Sequence, residues 1–249
     1  MKNKKKIWYS FYGGHSEDDA ISYYDSNQFN WTSEIEKNWE EIAKEIAIYL
    51  NDNEEKIKPY FNTDLVTKSN SWKTSAFFFW KWTVKKNMKQ CPFTMSTLQK
   101  VPGILSASIS ILESDITIKP HRGDTNAIIR AHLPLKVPHQ LPDCGFQVNE
   151  EQKSWEEGKL ILFNDAAKHT AWNNTSDRRY VLLFDVIRPE FQHKKYTVSS
   201  RVLAGLVMQA VAQKMPFIKR FPKFILAAKL FSIAFFINLI LRFRSFFKL

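Results

Sequence analysis

The 249-residue sequence has few cysteines, glycines and prolines. Its two cysteines, Cys91 and Cys144, cannot form a disulfide framework or a four-thiolate metal site, and this usage suits a reducing compartment. Seven glycines and ten prolines are too few for a collagen-like or low-complexity chain. Hydrophobic residues make up 44% of the chain and aromatic residues 14%, so most of it has the material for a folded core.

Acidic residues are absent from the C-terminal part of the chain. Residues 191–249 contain eleven of the 36 Lys and Arg residues and neither Asp nor Glu, while the remaining 25 basic residues balance all 25 acidic ones. The net charge of +11 therefore lies entirely in this tail. A nucleic-acid-binding domain would spread its basic residues over a folded face, so we expect no nucleic acid partner.

The apolar stretch near the N-terminus is short. This stretch, residues 7–12, follows several basic residues and has only six positions, whereas the apolar region of a secretory signal has roughly 7–15. We therefore expect no signal peptide and a body that stays in the cytoplasm.

The tail contains the longest apolar run, Phe224–Leu241, which includes one charged residue, Lys229, and basic residues on both sides. As a helix it would rise about 27 Å, close to the roughly 30 Å thickness of a bilayer core. Basic flanks equally suit a helix that lies in an anionic membrane interface. We predict a membrane-associating tail at the cytoplasmic face. The sequence does not decide whether its helix spans the bilayer or lies in the interface, and a buried C-terminal helix of the domain is the remaining alternative. The sequence leaves the oligomeric state open.

The body changes its hydrophobic period along the chain. Phe29–Leu50 has apolar residues at helical spacing and predicts one helix, with Thr32 or Ser33 as its cap. From residue 105 onward, short segments rich in Ile, Val, Leu and Phe predict strands: Ala107–Leu112, Ile116–Lys119, Ala127–Val137, Gly145–Val148, Lys159–Phe163 and Tyr180–Ile187. Closely spaced strands without intervening helices indicate an antiparallel sandwich or barrel. We therefore divide the chain into a lead (1–28), a body (29–190) and the tail (191–249).

Two histidines, His121 and His169, are predicted to lie on separate loops at strand ends. Arg130 and His132 lie two positions apart in an apolar strand, so their side chains point to the same face. Two imidazoles on a β scaffold suit non-heme iron(II), which normally takes two His and one carboxylate. The alternative is two surface imidazoles.

In combination, these segments resemble the aspartyl/asparaginyl β-hydroxylase family of iron(II)- and 2-oxoglutarate-dependent oxygenases, from about Phe29 to Pro189. The resemblance implies a mainly β fold, a cupin-like jelly roll (double-stranded β-helix), with N-terminal helices and the apolar, basic helical tail. It rests on these matching segments: Phe29–Glu40, His121–Asn126, Arg130–Leu133, Trp155–Lys159, Phe163–Asp165, His169, Trp172–Asn173, Arg179 and Asp185–Glu190.

The resemblance also implies the roles of single residues. His121 and His169 match the two iron ligands. Gly123 stands where most 2-oxoglutarate oxygenases carry an acidic ligand, and this family is known for a glycine there, with water in the vacant position.

The remaining matches concern the cosubstrate. Arg179 matches the residue that binds the far carboxylate of 2-oxoglutarate, and Ser110 matches its hydroxyl partner. Arg130 and His132 match residues near the cosubstrate and its metal-chelating end. The matches of Ser110, Arg130 and Arg179 each have an alternative. Ser110 is then an ordinary strand residue, and Arg130 belongs to a structural ion pair. Arg178 is the neighbouring alternative to Arg179, but it would point to the opposite strand face.

The implied chemistry is hydroxylation of a C–H bond with iron(II), 2-oxoglutarate and O2. The family acts on Asp or Asn side chains and, in a branch similar to the lipid A acyl-chain 2-hydroxylases, on lipids. Because the tail predicts membrane association, we expect a membrane-lipid acyl chain as substrate. The alternatives are a membrane-tethered peptidyl or free Asp/Asn β-hydroxylase and a non-catalytic membrane-associated binding module.

Overall fold

The computed structural model describes residues 6–16, 18 and 20–246. Residues 1–5, 17 and 19 of the lead and the last three residues of the tail therefore lie outside the described residues. The described helices are α1 (Trp31–Lys37), α2 (Trp39–Asn53), α3 (Lys85–Met88), α4 (Pro92–Leu98), α5 (Lys195–Lys214) and α6 (Lys223–Phe246). The described strands are β1 (Tyr23–Tyr24), β2 (Lys58–Pro59), β3 (Trp72–Phe79), β4 (Trp82–Thr83), β5 (Ile104–Leu112), β6 (Ile116–His121), β7 (Ile128–Lys136), β8 (Cys144–Val148), β9 (Glu151–Lys153), β10 (Ile161–Phe163), β11 (His169–Asn173) and β12 (Arg179–Ile187).

The described strands form two antiparallel sheets. The larger sheet has the order β1-β10-β7-β12-β5-β3-β2, with β4 paired to β3, and the smaller sheet has the order β6-β11-β8-β9. Apolar side chains of α2 and α4 pack against β5, β7 and β12 on one face of the larger sheet. A second apolar cluster joins residues of the smaller sheet, such as Phe146, to residues of the larger one, such as Phe163. This is the predicted jelly roll with N-terminal helices and a C-terminal apolar helix.

The central strands are apolar on both faces because both faces are covered. In β7 all residues except Arg130 and the last, Lys136, are buried. Its alternate side chains face either the N-terminal helices or the space between the sheets. Arg130 and His132 share the face between the sheets, as the two-residue spacing predicts.

The N-terminal helical segment differs from the prediction in two respects. It is two helices, because Asn38 leaves helical geometry (φ −100°, ψ 10°) and its side-chain amide donates to the carbonyl of Glu34 at 2.7 Å. The predicted cap is also wrong. Thr32 and Ser33 both lie inside α1, where their hydroxyls donate to backbone carbonyls, and Asn30 occupies the N-cap position without a side-chain cap.

The two tail helices pack against each other and against the body. Val198 and Val202 of α5 are buried in an apolar cluster with Tyr9, Ile128 and Ile187. Leu230 and Ala234 of α6 are buried in a cluster with Ala204 of α5, and Leu241, further along α6, is also buried. Within the described residues, one helix is long and apolar enough to cross a membrane, Lys223–Ser245, with a mean hydropathy of 2.3, and 17% of its most apolar window is buried.

Candidate active site

The two predicted metal ligands lie side by side in the smaller sheet. His121 is the last residue of β6, His169 is the first residue of β11, and the two are direct partners in the strand register. Their ring centroids are 4.2 Å apart, with an angle of 58° between the ring planes. The fold therefore brings together two imidazoles that are far apart in the sequence.

Both rings are oriented by the backbone. Nδ1 of His121 lies 2.9 Å from the carbonyl oxygen of Lys119, and Nδ1 of His169 lies 2.9 Å from that of Ala167. Each Nδ1 therefore carries the proton and donates, which leaves the Nε2 lone pair for a metal. Burial lowers the pKa of His121 to about 4 and lowers that of His169 well below its usual value, so both rings are neutral near pH 7. This donor pair fits iron(II).

A carboxylate occupies the space beside Gly123. A Cβ placed on Gly123 would lie 1.7 Å from Oδ2 of Asp165, so this position has no room for a side chain. Asp165 is fully buried, and its Oδ1 lies 3.9 Å from Nε2 of His169. No group of three or more His, Cys, Asp or Glu that could hold a metal is found among the described residues. The site thus offers two imidazoles, with a carboxylate nearby.

Arg130 holds this carboxylate in place. Its guanidinium donates to both oxygens of Asp185, at 2.7 and 3.1 Å, and Nη1 lies 2.6 Å from Oδ1 of Asp165. The contact with Asp165 lacks hydrogen-bond geometry, so both Asp165 oxygens are without a hydrogen-bond partner in the described part of the chain. Burial raises the pKa of Asp165 to about 7, against the opposing effect of Arg130. Arg130 therefore lines the cavity while its charge is neutralised by protein carboxylates.

Unlike Arg130, Arg179 is not paired with a carboxylate of the described residues. It begins β12 and is buried, and Nη2 donates to Oγ of Ser110 on β5 at 3.3 Å. The guanidinium carbon lies 4.4 Å from the ring centroid of Trp155. No carboxylate forms an ion pair with Arg179 among the described residues, and its Nε lacks a hydrogen-bond partner there. Burial lowers its pKa to about 10, so the group is still charged at neutral pH. It is a buried cation without a protein counter-charge.

The neighbouring Arg178 points elsewhere. It forms ion pairs with Glu113 at 2.7 Å and Glu54 at 2.5 Å, where its side chain is 40% exposed. The strand alternation that separates the two arginines therefore places only Arg179 in the cavity.

The cavity between the sheets brings all the predicted site residues together. It has a volume of about 40 Å³ and is lined by Ser110, His121, Arg130, His132, His169 and Arg179, together with apolar residues. Nδ1 of His132 accepts a bond from the Trp155 indole at 3.4 Å, so its proton lies on Nε2. This volume holds only a few water molecules, so entry of a larger molecule requires the lining side chains to move.

Several residues of the site were not predicted from the sequence. Trp72 donates to Oγ of Ser110 at 3.1 Å and stacks on Tyr60 at 3.9 Å between ring centroids, which closes one wall of the cavity. Asp165 and Asp185 fall within the matched segments, but no role was predicted for either of them. The available signal was their position next to apolar runs. Acidic residues there are seldom buried without a cationic partner, so their position indicates a buried contact with a basic residue.

Comparison with known proteins agrees with this geometry. The family model described as aspartyl/asparaginyl beta-hydroxylase matches residues 36–189. The chain belongs to this family. The match covers both imidazoles, Gly123 and Arg179, and ends before the tail.

Two curated relatives show the range of the family. The chain is 36% identical over 169 residues to an ornithine lipid ester-linked acyl 2-hydroxylase of Rhizobium tropici, with 67% of this chain and 60% of the relative covered. It is 31% identical over 166 residues to the aspartyl/asparaginyl beta-hydroxylase of Homo sapiens, with 63% of this chain and 21% of the relative covered. The chain therefore spans less than two thirds of the length of either relative.

Among solved structures, a Pseudomonas putida prolyl-4-hydroxylase aligns with 69% of this chain and 95% of its own, at 12% identity and a TM-score of 0.45. The family assignment comes from the sequence match.

Proposed function

We propose that this protein is an iron(II)- and 2-oxoglutarate-dependent hydroxylase that acts on an acyl chain of a membrane lipid at the cytoplasmic face of the membrane. Residues 29–190 form the catalytic unit, between the lead (1–28) and the membrane-associating tail (191–249). The observation that carries the proposal is the unpaired, buried Arg179 in the same small cavity as the imidazole pair.

A buried charge without a partner is costly, so Arg179 requires an anion. Its planar guanidinium can bind a carboxylate through two parallel N–H donors, and the Ser110 hydroxyl adds a third contact. A keto-diacid bound in this way can reach the imidazole pair with its other end. The far carboxylate of 2-oxoglutarate suits this position.

The other residues position the reacting groups. His121 and His169 hold the metal through Nε2, and His132 presents its Nε2–H to the cosubstrate. Arg130 keeps the Asp165 carboxylate beside Gly123 and near Nε2 of His169. The bound iron(II), with O2, supplies the oxidising power that splits 2-oxoglutarate into succinate and carbon dioxide and places a hydroxyl on the substrate carbon.

The preference for a lipid rests on two observations. The Rhizobium tropici relative is named for 2-hydroxylation of an ester-linked acyl chain. The tail of this chain is basic, without acidic residues, and ends in the apolar helix α6, which suits an anionic membrane surface. The second candidate is a membrane-tethered peptidyl or free Asp/Asn β-hydroxylase, which the human relative favours by its name.

Mass spectrometry of cellular lipids tests the proposal. Cells that express the parent protein should contain an acyl chain heavier by one oxygen atom, and cells that express His169→Ala should lack it. An unchanged lipid profile together with hydroxylated Asp or Asn would favour the second candidate. Purified protein that makes no succinate from 2-oxoglutarate with any of these substrates would favour a non-catalytic binding module.

A further inference from the structure

Helix α6 packs along α5. It runs antiparallel to α5, because Asn238 donates to Ser200 at 3.3 Å near the start of α5, while Leu230 packs near Ala204, further along α5. Its C-terminal end is fixed to the body, since Arg244 donates to the hydroxyl of Thr83 at 2.9 Å. A helix held by these contacts from Leu230 to Arg244 cannot cross a bilayer without losing them, which favours α6 lying flat.

The outer face of α6 is apolar. Seven large hydrophobic side chains on it are 46–74% exposed: Phe224, Phe231, Phe235, Phe236, Leu239, Ile240 and Phe243. The only charged residues on this helix are basic, as in the rest of the tail. A flat helix with this composition suits the headgroup region of an anionic bilayer, with the aromatic side chains in the acyl boundary.

A cleft lies between this helix and the N-terminal segment Ser10–Tyr12. Its volume is about 640 Å³, within the roughly 300–1,000 Å³ of small-molecule sites. The lining is mostly apolar: Phe11, Val202, Leu206, Leu226, Ala227 and Leu230. Because Leu226 and Leu230 belong to the same helix as the exposed Phe224 and Phe231, the cleft begins at the lipid-facing side of the molecule.

The other end of the cleft reaches the loop that follows His121. Asp124 lines the cleft, and its carbonyl accepts a bond from the backbone N–H of Ser10 at 3.0 Å. The preceding residue, Gly123, donates to the carbonyl of Asp165 at 2.7 Å. Since Asp165 lies beside His169, one loop separates the cleft from the imidazole pair.

We propose that this cleft binds the acyl chain of the membrane lipid and holds it between the bilayer surface and the loop after His121. The proposal rests on the lipid substrate given under Proposed function and adds the place where the chain is bound. An acyl chain fits better than a polar ligand because most of the lining surface is apolar, and better than a protein partner because the cleft opens where the lipid-facing side chains begin.

Photolabelling tests the cleft without reference to catalysis. The probe is a fatty acid with a diazirine group on its chain, incorporated in vesicles of phosphatidylethanolamine and phosphatidylglycerol, with the full-length protein. Peptides that contain Phe11 or Leu226–Leu230 should be labelled. Ala227→Phe fills the cleft and should reduce this labelling at least tenfold, whereas Ala228→Phe, on the adjacent exposed position outside the cleft, should leave it unchanged.

Melting temperatures of the two variants show whether both fold, and Leu206→Trp provides a second blocking variant. Labelling confined to the outer face of α6, or equal labelling of the parent and both blocking variants, would overturn the proposal. Lipid hydroxylation that persists in Ala227→Phe would also overturn it while the proposed function stands. Labelled cleft peptides without any hydroxylated lipid would support the cleft and contradict the lipid hydroxylase.

Discussion

At the scale of single residues, Arg179 and Arg130 show how context decides the role of a buried guanidinium. Arg130 is neutralised by Asp165 and Asp185, so it contributes to the structure of the site. Arg179 contacts the Ser110 hydroxyl and the Trp155 ring and forms no ion pair with a carboxylate of the described residues. The free energy of unfolding of the ligand-free protein is therefore lower than it would be with an apolar side chain at this position.

Replacing this arginine should separate binding from stability. We predict that Arg179→Met raises the free energy of unfolding of the ligand-free protein by about 1–4 kcal/mol, since it removes an unpaired buried charge. The same change should weaken 2-oxoglutarate binding by about 2–5 kcal/mol, roughly 30-fold or more, through loss of the carboxylate partner. Thermal denaturation with and without 2-oxoglutarate measures both effects.

Arg178→Ala is the matched control, because this neighbour pairs with Glu54 and Glu113 near the surface. It should leave 2-oxoglutarate binding unchanged. Equal losses of binding in both variants would contradict the assignment of Arg179.

Gly123 provides a second residue-scale prediction. Gly123→Ala places a methyl group where the Asp165 carboxylate lies, and this buried carboxylate is held by Arg130. We predict loss of iron binding and of 2-oxoglutarate turnover by at least tenfold. The double variant Gly123→Ala/Asp165→Gly removes the clash and should regain iron affinity, measured by iron content after gel filtration. Full iron binding by the single variant would contradict the close approach of these residues.

The chemistry-bearing residues differ in how far the sequence predicts them. His121, His169 and Arg179 lie in segments that resemble a family motif, and the structure places them around one cavity. Tyr60 lies in a loop and Trp72 begins β3, and no short pattern links either residue to the site. Their contacts join segments distant in the sequence, so local spacing carries no information about them.

At the scale of elements, the strands are predicted better than the helices. The alternation and apolar runs from residue 105 onward predict β5, β6, β7, β8, β10 and β12 within a few residues, because each strand is covered by the same layers along its length. Two short strands are missed: β9, and β11, which begins with His169. The segment Phe29–Leu50 keeps one helical period across Asn38, so the break there is invisible to a hydrophobic pattern. Glu36 resembles a capping-box acid, yet it accepts the backbone N–H of Leu160 at 2.8 Å.

A similar long-range cap fixes helix α4. The Glu45 carboxylate of α2 accepts the N–H groups of Phe93 at 2.9 Å and Thr94 at 2.7 Å, in the first turn of α4. We predict that Glu45→Ala lowers the free energy of unfolding by about 1–2 kcal/mol, the usual effect of losing a helix cap. Urea denaturation measures this. 2-Oxoglutarate affinity should not change, and an altered affinity would contradict the separation of this contact from the site.

We predict that the exposed apolar face of α6 is the membrane contact of this protein. Phe231→Glu/Phe235→Glu replaces two exposed side chains, each of which contributes about 1.5–3 kcal/mol when buried in an apolar phase. Vesicle binding should fall tenfold or more in a flotation assay. Ile48→Glu on α2, with a similar exposed fraction of 65%, is the control and should bind like the parent. Equal binding by all three proteins would contradict α6 as the membrane contact.

At the scale of the whole molecule, charge and hydrophobicity are separated along the chain. The body is close to neutral, while the tail holds the excess positive charge and the exposed apolar face. In the function proposed above, attraction of the tail to an anionic surface would bring the body close to lipid acyl chains. The separation itself can be predicted from composition, but the packing of α5 into the body core cannot, because its hydrophobic residues have no clear amphipathic period.

The most direct test of the account uses isotopically labelled oxygen. The full-length protein is incubated with iron(II), 2-oxoglutarate, oxygen-18 gas and vesicles made from total bacterial lipid, and the lipids are analysed by mass spectrometry. The account predicts one oxygen-18 atom in an acyl chain, formed together with succinate, and neither product with His169→Ala. Succinate formation with oxygen-18 absent from every lipid, or equal labelling by His169→Ala, would contradict it.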